Sequence, residues 1–364
     1  MWQTATRAVI GAALLVWIFH CIFVNEARTQ ARRGELLAAN GQPVHWESLN
    51  RPAQWRYGWR HGPPALGATL ASVEAPAFAA ALVLMGAMLY AGAIRWRIVL
   101  HAQGLDLPLR RVIHLSLVAH FFNAFLLGTA GGDVAKAYYA ARETHHKKTE
   151  AVLTVFMDRV IGLWTMLLFG GLMVLPNYRL LLHPGLRTLI AVLMAMLAVG
   201  SLFVFLVFHG GVSKAWSGAR DWLRRLPKGE WIGQTLDSCR VFGRVPWFVT
   251  RTLALSMLIN AMMVLQFVIL ARGLHLTVSS LALGLVVPVV ICISALPISP
   301  AGLGVRENLF VHLLAVPAIG VPATPALSLS LLAYAASLVW SLLGGISYMT
   351  LKDRCDLKHL AVAE

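Results

Sequence analysis

With 364 residues, 58% of them hydrophobic and only 13% charged, and a mean hydropathy of +0.69, the chain carries more apolar sequence than a soluble domain can bury. Its formal charge of +15 comes from 31 Lys and Arg against 16 Asp and Glu; the basic residues lie mostly between apolar runs, as expected of loops facing an anionic lipid surface. No nucleic-acid reading motif accompanies the charge, which excludes nucleic acid as a partner. Four scattered cysteines (Cys21, Cys239, Cys292, Cys355) and scattered histidines show no ligand spacing, so no metal and no cofactor are expected.

Residues 1–24 contain ATRAVIGAALLVWIFHCIFV (5–24), an apolar stretch of about spanning length behind Arg7 with no A-x-A-like site after it. An uncleaved anchor helix is expected rather than a signal peptide. Residues 25–73 hold Trp46, Trp55 and Trp59, mixed charges, and the turn signals NGQP and HGPP. So few aliphatic residues build little core, and a small extracytoplasmic elaboration on the membrane surface is expected.

From 74 to 350 the chain reads as a transmembrane domain. EAPAFAAALVLMGAMLYAGAI (74–94) is a span closed by RWR at 95–97. The segment from Arg95 to Arg111 is rich in arginine, and that from 133 to 150 carries Lys136, Arg142, Lys147 and Lys148, so both are assigned to the cytoplasm. The run between them, 112–131, must then enter, turn and return. GTAGGDVAKAYYAAR (128–142) supplies the turn. Gly128, Gly131 and Gly132 permit tight backbone at a depth where unpaired backbone groups cost several kcal/mol each. Asp133 suits the start of a helix through VAKAYYAAR, with Lys136 on its first turn. An ordinary glycine-rich loop between two full spans is the alternative.

AVLTVFMDRVIGLWTMLLFGGLMVL (151–175) leads outward, and TLIAVLMAMLAVGSLFVFLVF (188–208) returns to a basic segment, 209–246. There Ala215, Ala219, Trp222, Leu223 and Leu226 at helical spacing predict a helix on the anionic inner surface. Asp158 and Arg159 lie well inside the first of these runs, where a charge costs at least about 2.5–3.5 kcal/mol. Being adjacent, they point in different directions and are expected to pair with other segments; snorkelling at the interface is the alternative. PWFVTRTLALSMLINAMMVLQFVILA (246–271) crosses outward again. LALGLVVPVVICISALPISPAGLGVREN (281–308) then repeats the earlier interruption, with Pro288 inside the run, Pro297, Ser299, Pro300, Gly302 and Gly304 at its end, and Arg306 and Glu307 directly after. ALSLSLLAYAASLVWSLLGGISYM (326–349) is the last span, and 351–364 is a cytoplasmic tail.

The expected fold is therefore an all-α polytopic membrane protein with about six full spans and two re-entrant, Gly/Pro-broken hairpins, 112–131 and 281–303, both termini being cytoplasmic. The hairpins occupy corresponding places in halves that share no evident identity. This arrangement suggests an inverted repeat with a binding site near the midplane; simple proline kinks are the alternative.

HFFNAFLLGTAGGDVAKAYYAARETHHKKTEAVLTVFMDRVIGL (120–163), AIRWRIVLHAQGLDL (93–107) and ISALPISPAGLGVRENLFVHLLA (293–315) resemble the transmembrane family of lysylphosphatidylglycerol synthase/flippase proteins, over roughly residues 75–350. The family pattern is Asn, Pro four residues on, then Gly-Gly-Asp or Gly-Glu, and Arg three residues later. Asn123, Gly132 and Asp133 match it; Leu127 stands in the place of proline and Lys136 in that of arginine, which keeps the charge without the bidentate fork. The second motif, with Pro297, Ser299, Gly302, Gly304, Arg306 and Glu307, shows no departure. In two-domain members a soluble domain transfers an aminoacyl group from tRNA to phosphatidylglycerol, and the membrane domain moves the lipid. This chain stops about 14 residues after its last predicted span and shows no P-loop, GxSxG or HExxH. Synthase activity, and enzymatic activity generally, are expected to be absent.

Three functions remain open. A lipid translocator of the bacterial cytoplasmic membrane would pass a polar head group, of an anionic phospholipid or a lipid-linked intermediate, through a charged cavity. Lys136, Arg159 and Arg306 would then meet phosphate, and Asp133, Asp158 and Glu307 a cationic or hydroxyl-bearing group, with Asn123 and Ser299 completing the binding set. Gly131, Gly132, Pro297, Pro300, Gly302 and Gly304 would form the turns. The six charged side chains are expected to converge on one water-accessible cavity between the halves. A non-transporting partner of a lipid or envelope synthase is the second reading, and an integral-membrane enzyme acting on a lipid-linked sugar the third.

Overall fold

The computed structural model of the chain describes residues 44–125, 131–144, 147–178, 184–209, 247–295 and 304–350, with Gly302 and scattered positions between 16 and 42. The described residues form helices and turns, with no strand among them: this is an all-α polytopic membrane protein. A single 3-10 turn at Trp46–Ser48 precedes α1 (Arg51–Ala71), α2 (Ala75–Ala102), α3 (Leu109–Phe125), α4 (Gly131–Glu143), α5 (Lys148–Val174), α6 (Pro184–His209), α7 (Phe248–Gly273), α8 (Ser280–Ser294), α9 (Val305–Leu314) and α10 (Ala323–Met349). Five of these, α2, α5, α6, α7 and α10, are long and apolar enough to cross a bilayer. The sixth predicted span, the anchor at 5–24, the surface helix within 209–246 and the tail lie wholly or largely outside the described residues.

Two sequence expectations are corrected here. HGPP at 61–64 is not a turn: α1 continues through Pro63 and Pro64, which lack the N–H that would bond the Trp59 and Arg60 carbonyls. What commits this stretch to a helix is packing. Gly58 and Gly62, one turn apart, let Val24 and Phe23 lie where a Cβ would stand, a close approach of the small-xxx-small kind. Nor does Arg95 begin a loop. α2 runs seven residues past it, to Ala102, because Trp96, Val99 and Leu100 are fully buried in a core shared with Val112, Leu115, Phe122, Tyr139 and Met157.

α3 has 17 residues, short of the ~20 needed to span, and it is broken from α4 where the glycines predicted a turn. The pair folds back on itself. Arg111 near the start of α3 forms an ion pair with Glu143 at the end of α4, and Lys147 reaches the carbonyls of Gln103 (3.4 Å) and Gly104 (3.5 Å). The chain thus leaves and returns to one place, so its two ends lie on the same side of whatever membrane the flanking spans cross. α8, with 15 residues, and α9 form the second such pair.

The backbone repeats itself although the side chains have diverged. α2 ends where Gly104 takes a left-handed φ of 66°, its N–H bonding the His101 carbonyl and that of Leu105 the Leu100 carbonyl. α7 ends likewise at His275 (φ 55°), whose N–H bonds Arg272 while that of Leu276 bonds Ala271. α3 and α8 each begin five residues after their left-handed residue, and a broken pair and a long helix follow in both halves. The halves do share a motif of glycine turns, but not a sequence.

Two compact units result. One holds residues 1–83, 127–129 and 264–338, including the α8–α9 pair. The other holds 84–126, 130–263 and 339–364, including the α3–α4 pair. Within the second, contact is made at small residues: a Cβ on Gly344 would strike the Leu117 carbonyl, and one on Gly86 the Trp340 ring. In a bilayer such van der Waals fit replaces the hydrophobic force that assembles soluble helices.

Candidate functional site

The unit that contains α3 and α4 carries a cluster of charge, built from the α4 start. The Gly132 N–H donates to Asn123 Oδ1 at 2.9 Å, and a Cβ at Gly132 would overlap the Ala119 carbonyl oxygen. Glycine is therefore required there by close approach, and Asn123 serves as a cap supplied by the preceding helix. This fixes α4 so that Asp133 occupies its first turn, with Ala135 and Lys136 turned inward behind it. Lys136 is buried, its Nζ 3.3 Å from Asp158 Oδ2 and 4.0 Å from the centroid of the Trp96 ring, a cation–π contact. Trp96 is itself held by its Nε1 donating to Thr154 Oγ1 at 3.3 Å.

Asp158, on α5, takes a second cation. Arg95 donates from Nε to Asp158 Oδ1 at 2.8 Å, from Nη2 to the Asp158 carbonyl at 3.3 Å, and from Nη1 to Ser256 Oγ on α7 at 3.1 Å. Gly162, one turn beyond Asp158, makes room: a Cβ there would stand 3.1 Å from Arg95 Nη2. Arg159 turns the other way and pairs with Asp133. Asp158 and Arg159 thus pair with other segments, as their adjacency on a helix required. The side chains of Lys136, Asp158 and Arg95 are 10, 12 and 13% exposed, whereas Arg159 and Asp133 are 32 and 28% exposed, so the second pair is the accessible rim of the cluster. One turn from Ser256, Asn260 is buried and its Nδ2 has no hydrogen-bond partner among the described residues.

The other unit holds a neutral counterpart around the second break. Gly302 (φ 70°) and Gly304 (φ 81°) both take left-handed backbone, and a Cβ on Gly302 would sit 2.8 Å from the Ser294 carbonyl oxygen. Glu307, fully buried on the first turn of α9, accepts the Gly304 N–H at 2.7 Å on Oε2. Its Oε1 takes Arg306 (Nε at 3.0 Å, and Nη2) and Ser330 Oγ at 3.4 Å. Arg306 also lies over Tyr334, 4.6 Å from the ring centroid. Both carboxylate oxygens of Glu307 are engaged in closing the turn and orienting Arg306. Lys136 and Glu307 occupy matching places: each reaches a partner about one long-helix register away, Asp158 and Ser330, at separations of 22 and 23 residues.

Of the residues singled out in the sequence, Asn123, Gly132, Asp133, Lys136, Asp158 and Arg159 come together in one unit, with Gly131 opening α4. Arg306, Glu307, Gly302 and Gly304 come together in the other, while Pro297, Ser299 and Pro300 lie outside the described residues. Sequence reasoning missed Arg95, Trp96, Ser256 and Asn260. A signal for the last two was present: Thr252, Ser256 and Asn260 recur every four residues in an otherwise apolar span, a polar stripe on one helix face.

Residues 55–345 match the family model described as the lysylphosphatidylglycerol synthase TM region. The match begins about twenty residues upstream of the resembling stretch and takes in most of α1. No curated protein matches the chain.

Proposed function

Because the chain belongs to the family of the lysylphosphatidylglycerol synthase transmembrane region, a family of lipid-handling membrane proteins, we propose that it is a lipid translocator of the bacterial cytoplasmic membrane, moving a polar-headed lipid without chemical change. The observation that carries this reading is the charge balance of the first cluster: Arg95, Lys136 and Arg159 against Asp133 and Asp158. Three cations on α2, α4 and α5 face two carboxylates, and a phosphodiester brings the missing negative charge.

The geometry suggests how a head group is taken in. Lys136, Asp158 and Arg95 are locked together by buried bonds, whereas Arg159 pairs with Asp133 at the more exposed rim. A phosphate oxygen that replaces the Asp133 carboxylate keeps Arg159 paired throughout, so the guanidinium is never left bare in hydrocarbon during the exchange. The released Asp133 then faces whatever hydroxyl or ammonium the head group carries. Pairing by exchange avoids the several kcal/mol that an unpaired buried charge costs.

The test is movement of head-group-labelled phospholipids across vesicles that hold only the purified protein. Arg159→Ala abolishes movement while the protein still folds; Arg272→Ala, at an exposed site in the last turn of α7, leaves it intact. Movement by Arg159→Ala at the wild-type rate refutes the site. Absence of movement by the wild-type protein favours instead a non-transporting partner of a lipid synthase.

A further inference from the structure

A cavity of about 290 Å³ lies between α5, α6 and α7, inside the same unit as the charge cluster. Its polar lining groups are already spent. Trp164 Nε1 donates to Ser201 Oγ at 3.0 Å, the Thr165 hydroxyl to the Ile161 carbonyl at 2.8 Å, and the Thr252 hydroxyl to the Phe248 carbonyl at 2.8 Å. What remains facing the space is hydrocarbon, from Ile161, Val204, Val249 and Leu253 among others. Water finds no partners in such a space, and apolar cavities of this kind stay dry or take apolar guests.

Two features identify the guest. First, the slot adjoins the charged cluster: Ile161 is one turn along α5 from Asp158, and Thr252 is one turn along α7 from Ser256, which holds Arg95. Second, it reaches the outer side of α6, where the apolar Leu202, Phe203 and Phe205 are exposed and Phe205 also lines the slot. A molecule that fits both ends has an anionic head joined to a hydrocarbon chain. The Asn260 amide, one turn beyond Ser256, adds a buried donor with no acceptor among the described residues. We infer that the slot seats one acyl chain of a membrane phospholipid whose phosphodiester lies toward the Arg95 and Ser256 side of the cluster, so that this unit by itself holds a two-part lipid site. The inference rests on the translocation reading for the identity of the head group, but the chain site stands or falls separately.

The protein is reconstituted in vesicles of phosphatidylethanolamine and phosphatidylglycerol containing a phosphatidylglycerol with a photoreactive diazirine near the end of one acyl chain. After irradiation, adducts are expected in peptides covering 161–165, 201–205 and 248–253, and unlabelled phosphatidylglycerol should suppress them. Val204→Trp fills the slot and should remove most of these adducts, whereas Leu258→Trp, exposed on α7, should not. Should Val204→Trp fail to fold, saturation of the wild-type adducts by unlabelled lipid supplies the same discrimination. Adducts spread evenly over exposed apolar residues and not saturable overturn the slot. So does a disulfide between cysteines placed at 204 and within 210–246 that forms in full without lipid, since the chain itself then occupies the space. Saturable slot adducts in a protein that moves no lipid support the slot and refute translocation; full lipid movement with no slot adducts does the reverse.

Discussion

Replacing Asp158 by asparagine tests the cluster most directly. The change keeps the shape of the side chain and removes the one carboxylate that two buried cations share, with Arg95 at 2.8 Å and Lys136 at 3.3 Å. Asn can still accept from Arg95, but its amide NH2 then faces the Lys136 ammonium, donor against donor. Breaking a buried pair by removing one partner costs about 3–5 kcal/mol. The retained bond from Arg95 returns about 1 kcal/mol of this, so Asp158→Asn should destabilise by roughly 2–4 kcal/mol. Adding Lys136→Met removes the stranded cation, and the double variant should be more stable than the sum of the two single losses by at least about 1 kcal/mol. Reversible unfolding in mixed detergent micelles measures all four proteins of the cycle. If Asp158→Asn falls within about 0.5 kcal/mol of wild type, the cluster is solvated rather than buried and the reasoning fails.

Four further outcomes follow from the geometry. Gly132→Ala should cost about 1–3 kcal/mol, because the added methyl meets backbone at Ala119 that cannot move aside; Gly200→Ala, whose nearest neighbours stand at 3.7 Å, should be neutral or slightly stabilising in the same unfolding assay. Glu307→Gln should destabilise by about 3–5 kcal/mol, since Arg306 loses its buried counter-charge, and hydrogen exchange should rise first at the α9 amides. His275→Gly should stabilise by about 1 kcal/mol by relieving a left-handed φ of 55° on a residue with a Cβ. Cysteines placed at 103 and 147 should be labelled by an impermeant reagent from the same face of the membrane, and labelling from opposite faces would contradict the hairpin.

The parts of this architecture that were legible in the sequence are those in which one residue type has one physical use. Glycines at 132 and at 302 and 304 marked both breaks, because an L side chain meets backbone or a forbidden φ there. Asp158 and Arg159 marked themselves by their depth. Arg95 was not legible for the opposite reason: an arginine at the end of an apolar run is usually a loop cation, and only the burial of Trp96, Val99 and Leu100 extends the helix past it. The helix through Pro63 and Pro64 was hidden because it depends on Phe23 and Val24, distant in sequence. The repeat was legible in its two breaks but not in its helix ends, which are kept by backbone bonds at 104 and 275, where the residues, Gly and His, differ. Where Lys136 and Glu307 correspond, identity of place has been combined with opposite charge, which no comparison of letters reveals.

The return of α3 and α4 to their starting point also bears on how the protein is made. α3 is too short to be taken into the bilayer as a span, and it carries Arg110, Arg111 and His114 near its start and His120 further on. Presented alone to the insertion machinery, it has no reason to leave water. α2 and α5, by contrast, qualify as spans in their own right. Insertion is therefore ordered: the flanking helices enter first, and the hairpin slides in sideways once Trp96, Asp158 and the Leu117-facing Gly344 are there to receive it. Because Gly344 lies in α10, that reception is complete only once this helix, far downstream of the hairpin, has been synthesised.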